Sequence, residues 1–358
     1  MIRTRDLTRT FGAKDKVVQA VKGITLDVEP GEVVAFLGPN GAGKSTTLRM
    51  LTTLLNPTSG SAEVAGFDVV KDPAAVRHRI GAIGQGNGAG QNQKVIDEMV
   101  GQGRAYGLTK SESKARADEL LAGLDLSDLA DRVVQTLSGG QRRRLDVALG
   151  MVHQPELLFL DEPSTGLDPQ NRANLKDLIE KLHAEHGTTV VLTTHYMDEA
   201  DSLADRVIVI DHGRIIADDS PARLRSGLVG DRLDVTLPDP TDVPRVVAAI
   251  ERMATPLSVN VAGPTVQARI DGAPQLVPQL MRVLDADRVV VAAAEVARAT
   301  LDDVFLHLTG RSLREGSGPV DIGRPDGPAG PSSEPSPSPQ PSPSTESSQP
   351  SARNEYAA

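Results

Sequence analysis

Short apolar runs alternate with longer helical patterns from Ile2 to about Ala217. EVVAFLG, LLFLDEP, TTVVLTTH and DRVIVID are continuous hydrophobic stretches, whereas KSTTLRMLTTLL carries its apolar residues at helical spacing. Strands without polar alternation are covered on both faces, so the pattern predicts an α/β domain around a buried, largely parallel sheet. From about Arg232 to Arg311 the order changes. Strand RLDVTL, helix DVPRVVAAIERM, strands LSVNVA and TVQARI, helix QLVPQLMRVL and strand RVVVAA read as βαββαβ. That order predicts a small ferredoxin-like α+β module, with LDDVFLHL as one added helix. Beyond about Glu315 the chain is rich in Pro, Ser and Gly, and such a segment buries too little surface to offset the entropy of ordering. The expected division is a first domain over 1–222, an accessory module over 223–311 and a disordered tail over 312–358.

Composition narrows the chemistry. With 358 residues and 39% hydrophobic content the chain can bury a large core. Cysteine is absent, which excludes a disulfide framework or a cysteine-ligated metal and suits a reducing compartment. The N-terminus, MIRTRDLTRTF, has charges where a secretory signal needs an apolar stretch. Val289 to Ala297 is apolar but falls well short of the roughly 20 residues a bilayer span requires, so a membrane role has to come through a partner. A net charge of −10 argues against coating nucleic acid.

Candidate chemistry concentrates at the ends of the apolar runs. After EVVAFL comes GPNGAGKST, Gly38 to Thr46, followed by a helix: the phosphate-loop pattern in its proper context. Glycine at Gly38, Gly41 and Gly43 lets the backbone N–H groups of this stretch, Asn40 included, turn towards phosphate oxygens. Lys44 adds a point charge, and Ser45, beside Thr46, offers a hydroxyl to Mg²⁺. In LLFLDEP, Asp161 and Glu162 emerge from a buried strand, where the first can hold Mg²⁺ and the second can orient or deprotonate a water. His195 ends TTVVLTT, where an imidazole reaches a γ-phosphate or serves structure alone; Gln85, after IGAIG, is placed to meet metal or water. A further glycine corner, LSGGQRRR, Leu137 to Arg144, opens another helix, and its three arginines read as a solvated face.

In that order, GPNGAGKST, Gln85, LSGGQ, LLFLDEP, the TGLDPQ segment with Asp168 and His195 resemble the ATP-binding cassette (ABC) ATPases. Within them the chain is similar to the separate ATPase subunits of drug, antibiotic or lipid exporters of the ABC-2, daunorubicin-resistance type, over about Asp6 to Arg311. The resemblance implies a P-loop domain with a mixed sheet core and a helical subdomain at about 86–152. It implies ATP and Mg²⁺, with Glu162 and His195 catalytic and Ser45, Gln85 and Asp161 at the metal. It also gives Phe11 to the adenine ring, although a Phe packed by an edge strand is the competing reading. In such proteins two cassettes meet head to tail, so Ser138, Gly139, Gly140 and Gln141 serve the nucleotide of a neighbour, and Asp168 counts among the nucleotide-binding residues. Each motif occurs once here, which implies a homodimer or a pair with a sibling ATPase, docked on a separate permease at the cytoplasmic face of the membrane. One departure stands out: GNGAGQNQKVIDEM follows Gln85, with Asp97 and Glu98 where relatives carry Glu-Asn, so the partner is the less legible feature. Two alternatives stay open, an import ATPase and a non-transport ATPase acting on ribosomes or DNA. Against the second stand the lack of a second cassette and of sustained heptads.

Overall fold

The computed structural model describes residues 1–12, 17–86 and 88–310. The tail expected over 312–358 lies outside the described residues. The apolar runs become the central sheet. Strands β3 (Val33–Leu37), β6 (Ile80–Ile83), β7 (Leu157–Asp161), β8 (Thr189–Thr194), β9 (Arg206–Asp211) and β10 (Arg214–Asp219) lie in the order β10-β9-β3-β8-β7-β6. Every pairing from β9 to β6 is parallel, and β10 closes the edge antiparallel to β9. A second, antiparallel sheet is built from β1 (Ile2–Phe11), β2 (Val18–Val28), β4 (Ser59–Val64) and β5 (Phe67–Asp68), in the order β2-β1-β4-β5.

Alternation along the parallel strands explains why their sequence shows none. Val34, Phe36, Phe159, Val191 and Ile208 face the antiparallel sheet, with helices α1 (Lys44–Leu51) and α2 (Pro73–Arg79) in the same core. Val33, Ala35, Leu158, Leu160, Val190 and Leu192 point to the opposite face. There they meet α3 (Val95–Ala105), α4 (Lys110–Gly123), α5 (Gly139–Met151), α6 (Pro169–His186) and α7 (Met197–Leu203). Both faces are apolar because both are covered. Helices α3, α4 and α5 also pack on one another.

After α8 (Pro221–Leu228) the chain builds a third sheet, β12-β13-β11-β14, from β11 (Asp231–Thr236), β12 (Ser258–Ala262), β13 (Thr265–Ile270) and β14 (Ala293–Ala297). All its pairings are antiparallel, and α9 (Val243–Met253) and α10 (Ala273–Ala286) share a core with Leu233, Val235, Val266 and Ala268. This is the expected ferredoxin-like order. Two details differ from the sequence reading. The last strand is not RVVVAA but starts at its final residue, Ala293, because Val289 turns into the core while β14 pairs through its backbone with every side chain exposed. The final helix, α11 (Leu301–Thr309), does not belong to the module's core: Leu301, Val304 and Phe305 are buried in the cluster that holds α7 and α8.

Candidate functional site

The parallel sheet delivers its strand ends to one edge, and the chemistry collects there. β3 stops at Leu37 and α1 begins at Lys44, with the glycine loop between. Two of its glycines are dictated by space. A Cβ on Gly38 would stand 2.1 Å from the Ile210 carbonyl oxygen, and one on Gly43, whose φ is 106°, 2.6 Å from that of Ala20. The loop from Asn40 to Thr46 lines a cleft of about 440 Å³ together with Ala20, Gln85 and Glu162. The first N–H groups of α1 open on it without acceptors inside the helix, so the cleft is electropositive at that end.

Lys44 is buried, and its Nζ donates to the carbonyls of Gly38 (2.7 Å) and Pro39 (3.1 Å), with Glu162 Oε1 3.6 Å away. Burial lowers the ammonium's pKa, and the charges of Glu162 and Asp161 oppose that shift. Ser45 Oγ donates to Asp161 Oδ1 at 2.7 Å, and Gln85 Nε2 lies 3.4 Å from the same hydroxyl. The Ser45 hydroxyl and Asp161 carboxylate are oxygen donors of the kind a hard divalent cation prefers, and a turn of the adjacent Gln85 amide adds a third, so these residues fit Mg²⁺. Glu162 follows with a left-handed backbone, φ 45°, which costs a residue with a Cβ about 1 kcal/mol or more. Its Oε2 accepts from Thr165 Oγ1 (3.2 Å) and stands 3.5 Å from His195 Nδ1. That imidazole nitrogen is buried with no hydrogen-bond partner, and the ring lies 4.1 Å from the Tyr196 ring.

The glycine corner at Leu137 is built differently. Ser138 N-caps α5: its Oγ accepts from Gln141 N–H (3.3 Å), while Gln141 Oε1 accepts from Ser138 N–H (3.0 Å). Ser138 and Gly139 are exposed, and no residue of the stretch from Ser138 to Gln141 lines the cleft. Gly140 abuts Asn171, which in turn donates to Asp168 through its backbone (2.8 Å) and side chain (2.7 Å), so the two exposed corners are physically adjacent. These N–H bonds hold the Asp168 carboxyl below its ordinary pKa. Phe11 is partly exposed under the Arg9 guanidinium, outside the residues lining the cleft.

The arginines after this corner correct the expectation of a solvated face. Arg143 is buried, and its Nη1 donates to the Gly84 carbonyl at 2.8 Å. One turn on, Asp146 Oδ1 accepts from Gly88 N–H at 3.1 Å, so α5 grips the backbone on both sides of Gln85. Arg142 and Arg144 donate to the carbonyls of Val134 and Leu124. Burial lowers the pKa of Arg143 and raises that of Asp146. Sequence reading missed this clamp because three consecutive arginines carry no sign of which one turns inward. It also missed Glu199 on α7, whose carboxyl burial pushes upward in pKa and whose Oε2 is buried without a partner.

Comparison with known proteins agrees with this geometry. The ABC transporter family model matches residues 21–165. The daunorubicin/doxorubicin resistance ATP-binding protein of Streptomyces peucetius is 42% identical over 317 residues, covering 86% of this chain and 92% of that one. The linearmycin resistance ATP-binding protein of Bacillus subtilis is 34% identical, covering 88% of this chain and all of its own length, 100%. A dimeric ATP-binding cassette solved in a post-hydrolysis state with ADP and Pi superposes with a TM-score of 0.57 at 25% identity, over 62% of this chain and 98% of that one. The chain belongs to the ABC transporter family of ATP-binding proteins.

Proposed function

We propose that this chain hydrolyses ATP to drive a separate membrane permease that exports a drug, antibiotic or lipid-like compound. The observation that carries the reading is that Lys44, Ser45 and Glu162 line one cleft at the N-terminus of α1, with Asp161 bonded to Ser45 and His195 beside Glu162 directly behind them. The loop N–H groups and Lys44 hold the phosphates, and Glu162 orients the attacking water and takes its proton. His195, hydrogen-bonded to the γ-phosphate, keeps it in line, and Gln85 registers its presence. Ser45, Asp161 and Gln85 would hold Mg²⁺, which would supply charge neutralisation at the phosphates. Phe11 provides a face for adenine.

The outward corner of Ser138 to Gln141 and Asp168 completes the site of a second chain, a copy or a sibling. Closure around ATP and opening after hydrolysis are a ligand-driven population shift that a permease converts into transport. Among the described residues no helix is long and apolar enough to cross a membrane; docking on the permease would hold the chain at the cytoplasmic face. Export rests on the resistance proteins of Streptomyces peucetius and Bacillus subtilis. The test is to co-purify the membrane partner and measure which compounds raise ATP turnover. Stimulation by amphipathic drugs or antibiotics is the expected result, and stimulation only by a solute delivered inward contradicts export.

A further inference from the structure

We propose that Thr193 is a positioning residue for hydrolysis, with one hydroxyl fixing both acidic groups of the site. It rests on the assignment of Asp161 and Glu162 above. Thr193 is fully buried on β8, where the parallel register with β7 sets it opposite Asp161, so the two side chains stand on the same face. Its Oγ1 donates to Asp161 Oδ1 at 2.6 Å and accepts from the Glu162 backbone N–H at 2.9 Å. A hydroxyl has one proton and two lone pairs, and here the proton goes to the carboxylate while a lone pair takes the N–H.

Each bond fixes something different. Asp161 Oδ1 receives Thr193 from one strand and Ser45, at 2.7 Å, from the phosphate-loop helix, so two hydroxyls set the rotation of one carboxylate. The Glu162 N–H is held by the Thr193 hydroxyl and by its carbonyl, at 3.1 Å, at the residue whose φ is 45°. That backbone turn aims the Glu162 carboxylate between Lys44 and His195. His195 lies two residues beyond Thr193, so β8 carries the anchor of the acidic pair and the residue that follows the strand is its imidazole neighbour. Valine has the same shape and strand preference as threonine but offers a methyl group to a carboxylate oxygen and an N–H.

The test is the series Thr193→Val, Thr193→Ser and Thr193→Ala in the full chain, assayed with its membrane partner. Thr193→Val and Thr193→Ala should lower kcat about tenfold to a hundredfold while KM for ATP moves less than about twofold, and Thr193→Ser should stay near the parent. A second readout is independent of turnover: the Mn²⁺ concentration that half-saturates binding to the purified chain with ADP, followed by electron paramagnetic resonance. It should rise severalfold for Val and not for Ser. A packing role gives the opposite ranking, with Val at parent level and Ser falling with Ala, and that ranking overturns the proposal. Should Val fail to fold, Ser active beside a crippled Ala supports it, and Ser as weak as Ala overturns it. Glu162→Gln is the control: unchanged turnover there removes the underlying assignment, whatever Thr193 does.

Discussion

Two glycine corners, at Gly38–Gly43 and at Gly139–Gly140, open helices with similar local ingredients and end in opposite conditions. The first is enclosed by its own chain: carbonyls of Ala20 and Ile210 leave no room for a Cβ, and Asp161, Glu162 and Gln85 arrive from other strand ends. The second is exposed, with Ser138 and Gln141 bonded to each other and Gly140 set against Asn171. A helix N-terminus becomes a phosphate site only when tertiary partners complete it. One corner finds those partners within the chain; in the other, Ser138 and Gln141 cap each other's N–H groups and Ser138 and Gly139 stay exposed.

The largest effects should come from the enclosed corner. Glu162→Gln is expected to cut ATP turnover by about a hundredfold or more while nucleotide binding survives, read by phosphate release and by fluorescent-nucleotide titration. Lys44→Ala should weaken nucleotide binding by about tenfold or more, since it removes a buried cation beside the phosphate loop. At the outward corner, Gly140→Ala is expected to destabilise the fold by about 1–3 kcal/mol in urea unfolding, because its Cβ would meet Asn171 Oδ1 at 2.1 Å. Adding Asn171→Ala should return part of that loss, and a cost unchanged by it would sever the link between the two exposed segments.

The smallest effect concerns the helices behind both corners. Burial raises the Glu199 pKa above its ordinary value of 4.5, with the charges of Arg172 and Arg143 opposing. The protonated form is therefore favoured by folding, and this contribution to stability is full below the unfolded pKa and fades as pH rises through the folded one. Thermal melts should show the parent losing stability relative to Glu199→Gln as pH increases from about 4 upward. A difference that stays constant with pH would remove the buried carboxylate as its source.

How much the sequence disclosed follows from what each signal encodes. Continuous apolar runs announced the parallel strands because both faces are covered, and GPNGAGKST announced the cleft because its backbone shape needs those glycines. β14 escaped because an exposed edge strand is held by backbone pairing, which side-chain hydrophobicity does not record. The placement of α11 escaped for a related reason: its apolar face marks it as packed but does not name the core that takes it. Thr193 has no sequence signal beyond that of a β-branched strand residue, and Arg143 none beyond that of a surface cation. Their roles come from strand register and from which side of α5 meets the Gln85 segment. Contacts between distant segments are the part a linear pattern cannot spell out.

The central claim is that the outward corner serves the nucleotide of a neighbouring chain. Its most direct test mixes two inactive full-length variants, Lys44→Ala and Ser138→Arg, and measures ATP hydrolysis by the mixture. A site shared between chains predicts recovery well above the sum of the separate variants, because each mixed pair contains one intact phosphate loop facing one intact Ser138 corner. No recovery, in a mixture shown by cross-linking to contain mixed pairs, would contradict the account.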